Sequence, residues 1–107
     1  MNESEFISIS NQVLEGIASA IDAAAPDVDW VFKGEGILEV EFDDGAKLVI
    51  NRNTPVREIW VAAPEGGFHF RLDGTRWIDT RDSVDLGTRV SALISSAIGK
   101  RVQMSLR

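Results

Sequence analysis

From residue 29 to residue 79 every break between apolar segments is a tight turn, and this brevity limits the fold more than any other feature. Six segments, Trp30 to Phe32, Ile37 to Phe42, Ala46 to Arg52, Glu58 to Ala63, Phe68 to Leu72 and Arg76 to Asp79, are separated by links built on GlyGluGly, AspAspGly, ThrPro, ProGluGlyGly and AspGlyThr. Gly, Pro and Asp supply the backbone conformations that such turns need. A parallel neighbour needs a crossover of a dozen or more residues, so each strand must run antiparallel to the one before it, in a meander. In the second segment Leu38, Val40 and Phe42 alternate with Glu39, Glu41 and Asp43, which predicts one covered apolar face and one wet acidic face. Leu48 and Ile50 likewise oppose Val49, Asn51 and Asn53, and Ile59 and Val61 oppose Trp60. An indole and two amides therefore share the outer face.

Helical periodicity brackets this sheet. Phe6, Ile9, Val13, Ile17, Ala20, Ile21 and Ala24 recur at helical spacing over residues 3 to 24. Asn2 with Glu5 makes a capping-box signature, and Pro26 ends the helix. Asn11, Glu15 and Asp22 fall opposite the apolar stripe. Asp82 or Ser83 caps a second helix with Leu86, Val90, Leu93, Ile94 and Ala97 buried and Gly99 as its stop. Arg101 to Leu106 alternates as a short final strand would. Two amphipathic helices and one antiparallel sheet predict an α+β two-layer sandwich with both helices on one sheet face. The 107 residues are expected to form a single domain, 1–107.

Charge is segregated along the chain. Residues 1 to 51 carry 11 acids against Lys33 and Lys47, a net of −9, whereas residues 52 to 107 carry 6 acids against 9 bases, a net of +3. An acidic half repels phosphate backbones and attracts cations or basic protein surfaces, so nucleic acid is not an expected partner. The chain has no cysteine, which removes disulfides, thiol nucleophiles and ligation of an iron-sulfur cluster through its own thiolates. No apolar run approaches the roughly 20 residues of a membrane span and the N-terminus is acidic, so a soluble, cytoplasmic protein is expected.

Glu39, Glu41 and Asp43 project from one face at intervals of roughly 6.8 Å, too wide for one strand to chelate an ion whose ligand bonds are about 2 Å long. A metal there would need an acid from a neighbouring strand, or water. Oxygen ligands without His or Cys suit hard cations, held weakly. For Asp22, Asp27, Asp43 and Asp44 the plainer role is helix-end and turn chemistry. Outward Trp60 serves either as a contact residue or as a cross-strand packing partner, while Trp30 and Trp77 are expected in the core. His69, the only histidine, stands between Phe68 and Phe70 with no nucleophilic motif around it. Catalysis is not expected.

The stretch from Ile50 to Phe70 resembles the central sheet of the frataxin family. Its pattern of an Asn, a nearby Pro, IleTrp and a Pro-x-Gly-Gly turn is matched by Asn51, Pro55, Ile59, Trp60, Pro64, Gly66 and Gly67. The opening MetAsnGluSerGluPhe, the strand GlyIleLeuGluValGluPheAspAspGly, Trp77 and the C-terminal helix fall in the family's order. The resemblance implies an iron-binding protein of iron-sulfur cluster assembly, acting as iron donor, as regulator of the cysteine desulfurase, or both. Iron, ferrous or ferric, would be weakly bound by Glu15, Asp22, Asp27 and Asp29, with Glu39 and Glu41 on the adjoining strand. The cysteine desulfurase would meet the acidic half, and Asn51, Asn53 and Trp60 would face the cluster scaffold protein and the desulfurase. The resemblance further implies a monomer that can form iron-dependent oligomers. Two departures stand out: Asn53 occupies a position where the family often has Gln, and Ala23 to Ala25 thin the acidic ridge, so weaker iron binding is expected. The rival classes are an acidic interaction module without a functional metal and a small metal-dependent hydrolase.

Overall fold

The structure, a computed structural model, describes residues 1–106. Its elements are α1 (Glu3–Ala24), β1 (Asp29–Phe32), β2 (Ile37–Glu41), β3 (Lys47–Asn53), β4 (Glu58–Ala63), β5 (Gly66–Asp73), β6 (Arg76–Asp79) and α2 (Leu86–Ile98). The six strands form one antiparallel sheet in the order β1-β2-β3-β4-β5-β6, as their short links require. Both helices cover one face, giving the two-layer α+β sandwich. Leu38, Val40, Leu48, Ile50, Ile59, Val61 and Phe70 from the sheet are buried with Phe6, Leu14, Ile17 and Ile21 of α1 and Val90 and Ile94 of α2. Each such side chain withdrawn from water contributes about 1.5–3 kcal/mol, and among the described residues the opposite sheet face has no comparable cover.

α1 begins in a capping box: the Asn2 side chain accepts from the Glu5 N–H at 2.8 Å while Glu5 accepts from the Asn2 N–H at 3.0 Å. Its buried stripe runs through Ser10, Leu14 and Ala18; Ile9 and Val13 are half-buried and Ala24 is exposed. The stripe is thus turned about one residue from the predicted one. That rotation brings Asn11 and Asp22, expected to point away from the sheet, into contact with it. Asn11 accepts from Arg52 Nη1 at 2.5 Å, and Asp22 accepts from Trp30 Nε1 at 2.8 Å. Trp30 is half-buried at the sheet edge instead of deep in the core, where Trp77 does lie.

Three further expectations are corrected at the C-terminal end. α2 is capped by Asp85, whose side chain accepts from the Thr88 N–H, because residues 80 to 84 are taken up by a turn in which Asp82 accepts from the Val84 N–H. Ala97 is exposed. Residues 101 to 106 form no strand, although Val102 and Met104 are buried in the alternating sense. The sheet edge that such a strand would need is occupied at β6 by the Ile78–Asp85 bridge. Two serines of α2 satisfy the tail's backbone instead: Ser95 Oγ accepts from the Val102 N–H at 2.9 Å and Ser91 Oγ accepts from the Met104 N–H at 3.0 Å.

Ser95→Ala leaves the Val102 N–H without its acceptor and is expected to lower stability by about 1–3 kcal/mol. Urea unfolding reads this as a lower midpoint at unchanged slope, with Ser96→Ala, an exposed neighbour, as the control.

Candidate functional site

Strand register assembles the uncovered face. Ile37, Asn51, Trp60 and His69 stand opposite one another in one row across β2 to β5, and Asn53, Glu58, Arg71 and Ile78 form the next. On the far side of Trp60 the row is Val49, Ala62 and Gly67. Trp60 stacks on His69 across β4 and β5 with ring centroids 4.1 Å apart and planes 7° from parallel. The indole is half-buried and the imidazole side chain is 46% exposed, so the stack remains open to solvent.

Glu58 holds this group together. Its carboxylate accepts from Trp60 Nε1 at 2.9 Å and from Arg71 Nη2 at 2.6 Å, and His69 Nδ1 lies 3.9 Å away. Burial pushes the Glu58 carboxyl up, but the hydrogen bonds from Trp60 and Arg71, with the charges of Arg71 and His69, outweigh it and keep it below the ordinary glutamate range. Trp60 is therefore neither a loose contact residue nor a fully packed one. It is an indole fixed edge-on by a buried anion. Asn51 stands directly opposite Trp60, with its Nδ2 donating to the Arg52 carbonyl at 3.3 Å, and Asn53 stands opposite Glu58.

The acids divide differently. Asp29 of β1 faces Glu41 of β2 on the open side of the sheet, and both are exposed. Asp27 is exposed in the turn before β1, and Glu15 is exposed on α1, about 10 Å along the helix axis from Asp22. Glu39 is drawn out of the set: Lys47 on β3 meets it at 3.0 Å, and that hydrogen bond, then the charge of Glu39, raises the lysine above its ordinary value. Glu15, Asp22, Asp27, Asp29 and Glu41 take part in no ion pair among the described residues. Nor does any group of three or more His, Asp or Glu side chains among those residues converge as metal ligands do. This edge can attract a cation and supply one or two carboxylates to it, with water completing the shell.

Three participants escaped the sequence reading. Glu58 and Trp60 share strand parity, so their proximity was available from period-two alternation. His69 and Arg71 reach them only through the β4–β5 register. A groove of about 310 Å³ on the helix side, lined by Ile9, Val13, Leu72, Trp77, Leu86 and Leu106 among others, is distant in character from both sites, being largely apolar. Among the described residues no helix is long and apolar enough to cross a membrane.

Because Glu58 has a depressed folded-state pKa, its contribution to stability is complete above the unfolded glutamate value of about 4.3 and is lost as pH falls through the lower folded value. Glu58→Gln is thus expected to be less stable than the native chain at pH 7, and the two urea midpoints should converge below about pH 4. A gap that persists at low pH would assign the effect to packing.

Comparison with known proteins agrees with this architecture. The model of the frataxin-like domain matches residues 1–100. The iron-sulfur cluster assembly protein CyaY of Dechloromonas aromatica is 43% identical over 102 residues, covering 95% of this chain and 97% of that protein. Frataxin from Psychromonas ingrahamii, of the CyaY family, has a TM-score of 0.90 at 34% identity, with 98% of this chain and 99% of that one covered. Trimeric frataxin from Saccharomyces cerevisiae, complexed with ferrous, shares the fold at a TM-score of 0.67 and 22% identity over 94% of this chain and 88% of that one. On the family match and full-length identity, the chain belongs to the frataxin family.

Proposed function

We propose that this chain acts in iron-sulfur cluster assembly, binding iron weakly and meeting a cysteine desulfurase and a cluster scaffold protein. The supporting observation is a band of exposed carboxylates without cationic partners among the described residues, Asp22, Asp27, Asp29 and Glu41, where α1, β1 and β2 meet, on a chain whose full-length relatives bear the name of cluster assembly proteins. Oxygen donors alone favour hard cations such as ferrous or ferric iron, and scattered donors release them readily. With no cysteine in the chain, the cluster itself has to be built on another protein's thiolates. The acidic band would dock on a basic patch of the desulfurase, and the Trp60 face on the scaffold. Iron delivery and control of the desulfurase rate both fit: delivery uses the looseness of the ligands, and control uses competition between iron and partner for the same acids.

The wide spacing of the carboxylates gives some support to a second reading, an acidic interaction module whose acids have no metal role. Anaerobic calorimetry with ferrous iron, beside a magnesium control, separates the two. Saturable heat with iron and little with magnesium supports the first; no heat with either supports the second.

Replacing Asp22, Asp27 and Asp29 together with Asn is expected to weaken both ferrous binding and desulfurase binding. The fold should hold, because exposed substitutions change stability by less than about 0.5 kcal/mol each and the amide oxygen introduced at position 22 would still accept from Trp30 Nε1. Unchanged partner affinity would remove the acidic edge from the interface.

Trp60→Ala is expected to cost the complex with scaffold or desulfurase about 2 kcal/mol or more, as buried interface aromatics do. Titration calorimetry beside urea unfolding decides the case: a stability loss of about 3–5 kcal/mol with binding spared would make Trp60 a packing residue only.

A further inference from the structure

β1 is an outer strand of the sheet, and among the described residues no strand pairs with it on the side away from β2. Lys33 N donates to the Ile37 carbonyl at 3.0 Å, and with the register Val31↔Glu39 and Asp29↔Glu41 this sets which residues of β1 bond inward. Asp29, Val31 and Lys33 turn their N–H and C=O groups to β2. Trp30 and Phe32 turn theirs outward. The same strand carries two of the four exposed large hydrophobics in the described chain, Val31 at 47% and Phe32 at 41%. An edge with free backbone groups and exposed apolar side chains invites a further strand unless something blunts it.

The side chains specify which strand would fit. In an antiparallel pairing of two β1 strands, the register that hydrogen-bonds Trp30 of one copy to Phe32 of the other is centred on Val31 and keeps the whole of Asp29 to Lys33 paired. Val31 then faces Val31 of the second copy. Each Trp30 faces a Phe32 on the helix side of the sheet, continuing the edge-to-face contact that those rings already make at 5.3 Å within one chain. Each Asp29 faces a Lys33 on the open side, in the non-hydrogen-bonded pairs where side chains approach most closely. Both residues are exposed, and neither takes part in an ion pair among the described residues. Apolar, aromatic and charged positions are all self-complementary about one two-fold axis, as an isologous contact requires.

We infer that the free edge of β1 is a pairing surface for a second copy of this chain, joining two six-stranded sheets into one through Trp30, Phe32, Val31 and the two Asp29–Lys33 pairs. The edge is only four residues long and each copy carries a net charge of −6, so the dimer is weak and forms at high protein concentration. Pairing covers Val31 and Phe32 and engages Asp29, which removes that acid from the exposed edge while the dimer lasts. The inference does not depend on iron or on any partner protein.

Sedimentation of the full chain from about 10 µM to about 1 mM, with backbone amide exchange followed at both ends of the range, tests it. The expected result is a concentration-dependent dimer in which the Trp30 and Phe32 amides gain protection. Lys33→Asp should weaken the dimer about tenfold or more, because both cross-strand pairs become like-charged, and Asp29→Lys with Lys33→Asp should restore it. A chain that stays monomeric to about 1 mM overturns the inference. So does a dimer whose Trp30 and Phe32 amides remain unprotected, one indifferent to Lys33→Asp, one that the double exchange fails to rescue, or an edge that pairs with a basic peptide but not with itself.

Discussion

Burial of one sheet face under both helices governs this structure. Leu38, Val40, Leu48, Ile50, Ile59, Val61 and Phe70 point the same way and need cover, and a chain with only two amphipathic helices has nothing left for the other face. The second face must therefore be wet, and the residues that alternate with the core are free to serve contact. Core and open face are two parities of the same strands. A one-residue slip of register would exchange them, so the packing that stabilises the fold also places Asn51, Trp60 and His69 in one row.

The open face is electrostatically divided. Its β1–β2 side carries Asp29 and Glu41 exposed, with Glu39 neutralised by Lys47, and its β4–β5 side centres on Glu58, buried beneath Trp60, His69 and Arg71. The two kinds of carboxylate do different work. An exposed acid remains available to a cation or a basic partner, whereas a buried acid satisfied by an indole N–H and a guanidinium fixes the orientation of those groups. In the proposed docking role, fixing Trp60 in advance would reduce the rotamer entropy lost on contact. On the helix side Arg52 plays a corresponding structural part. It joins Asn11 of α1 to Glu35 in the turn between β1 and β2, at 3.5 Å from that carboxylate, and lies so close to Gly36 that a Cβ there would meet Arg52 Nε at 2.6 Å.

Relations within an element could be read from the chain, and relations between elements could not. The exposed positions of Glu15 and Glu41 follow from helical and strand periodicity, and that of Asp27 from its place in the turn after Pro26. The neutralisation of Glu39 does not, because it depends on which residue of β3 lies opposite. His69 reads as an isolated imidazole along the chain and becomes a stacking partner only when β5 is laid beside β4. Glu58 reads as a polar residue at the start of a strand; its burial and its three neighbours are products of the sheet.

The meander, the two helices and the covered face were determined by sequence alone, because turn length, Pro and Gly placement and apolar period act over a few residues and admit one arrangement. The same local rules misplaced the α1 stripe by about a residue, since a helix surface with Ile9, Val13, Leu14 and Ile17 presents two adjacent apolar faces and the sheet selects between them. They also made a strand of residues 101 to 106, where only the folded chain reveals that the β6 edge is taken and that Ser91 and Ser95 satisfy the tail. Tertiary structure decided the partners of Asp22, Glu58, His69 and Arg71. Each is matched to a residue on another element, or on the far side of a register, and no local propensity carries that information.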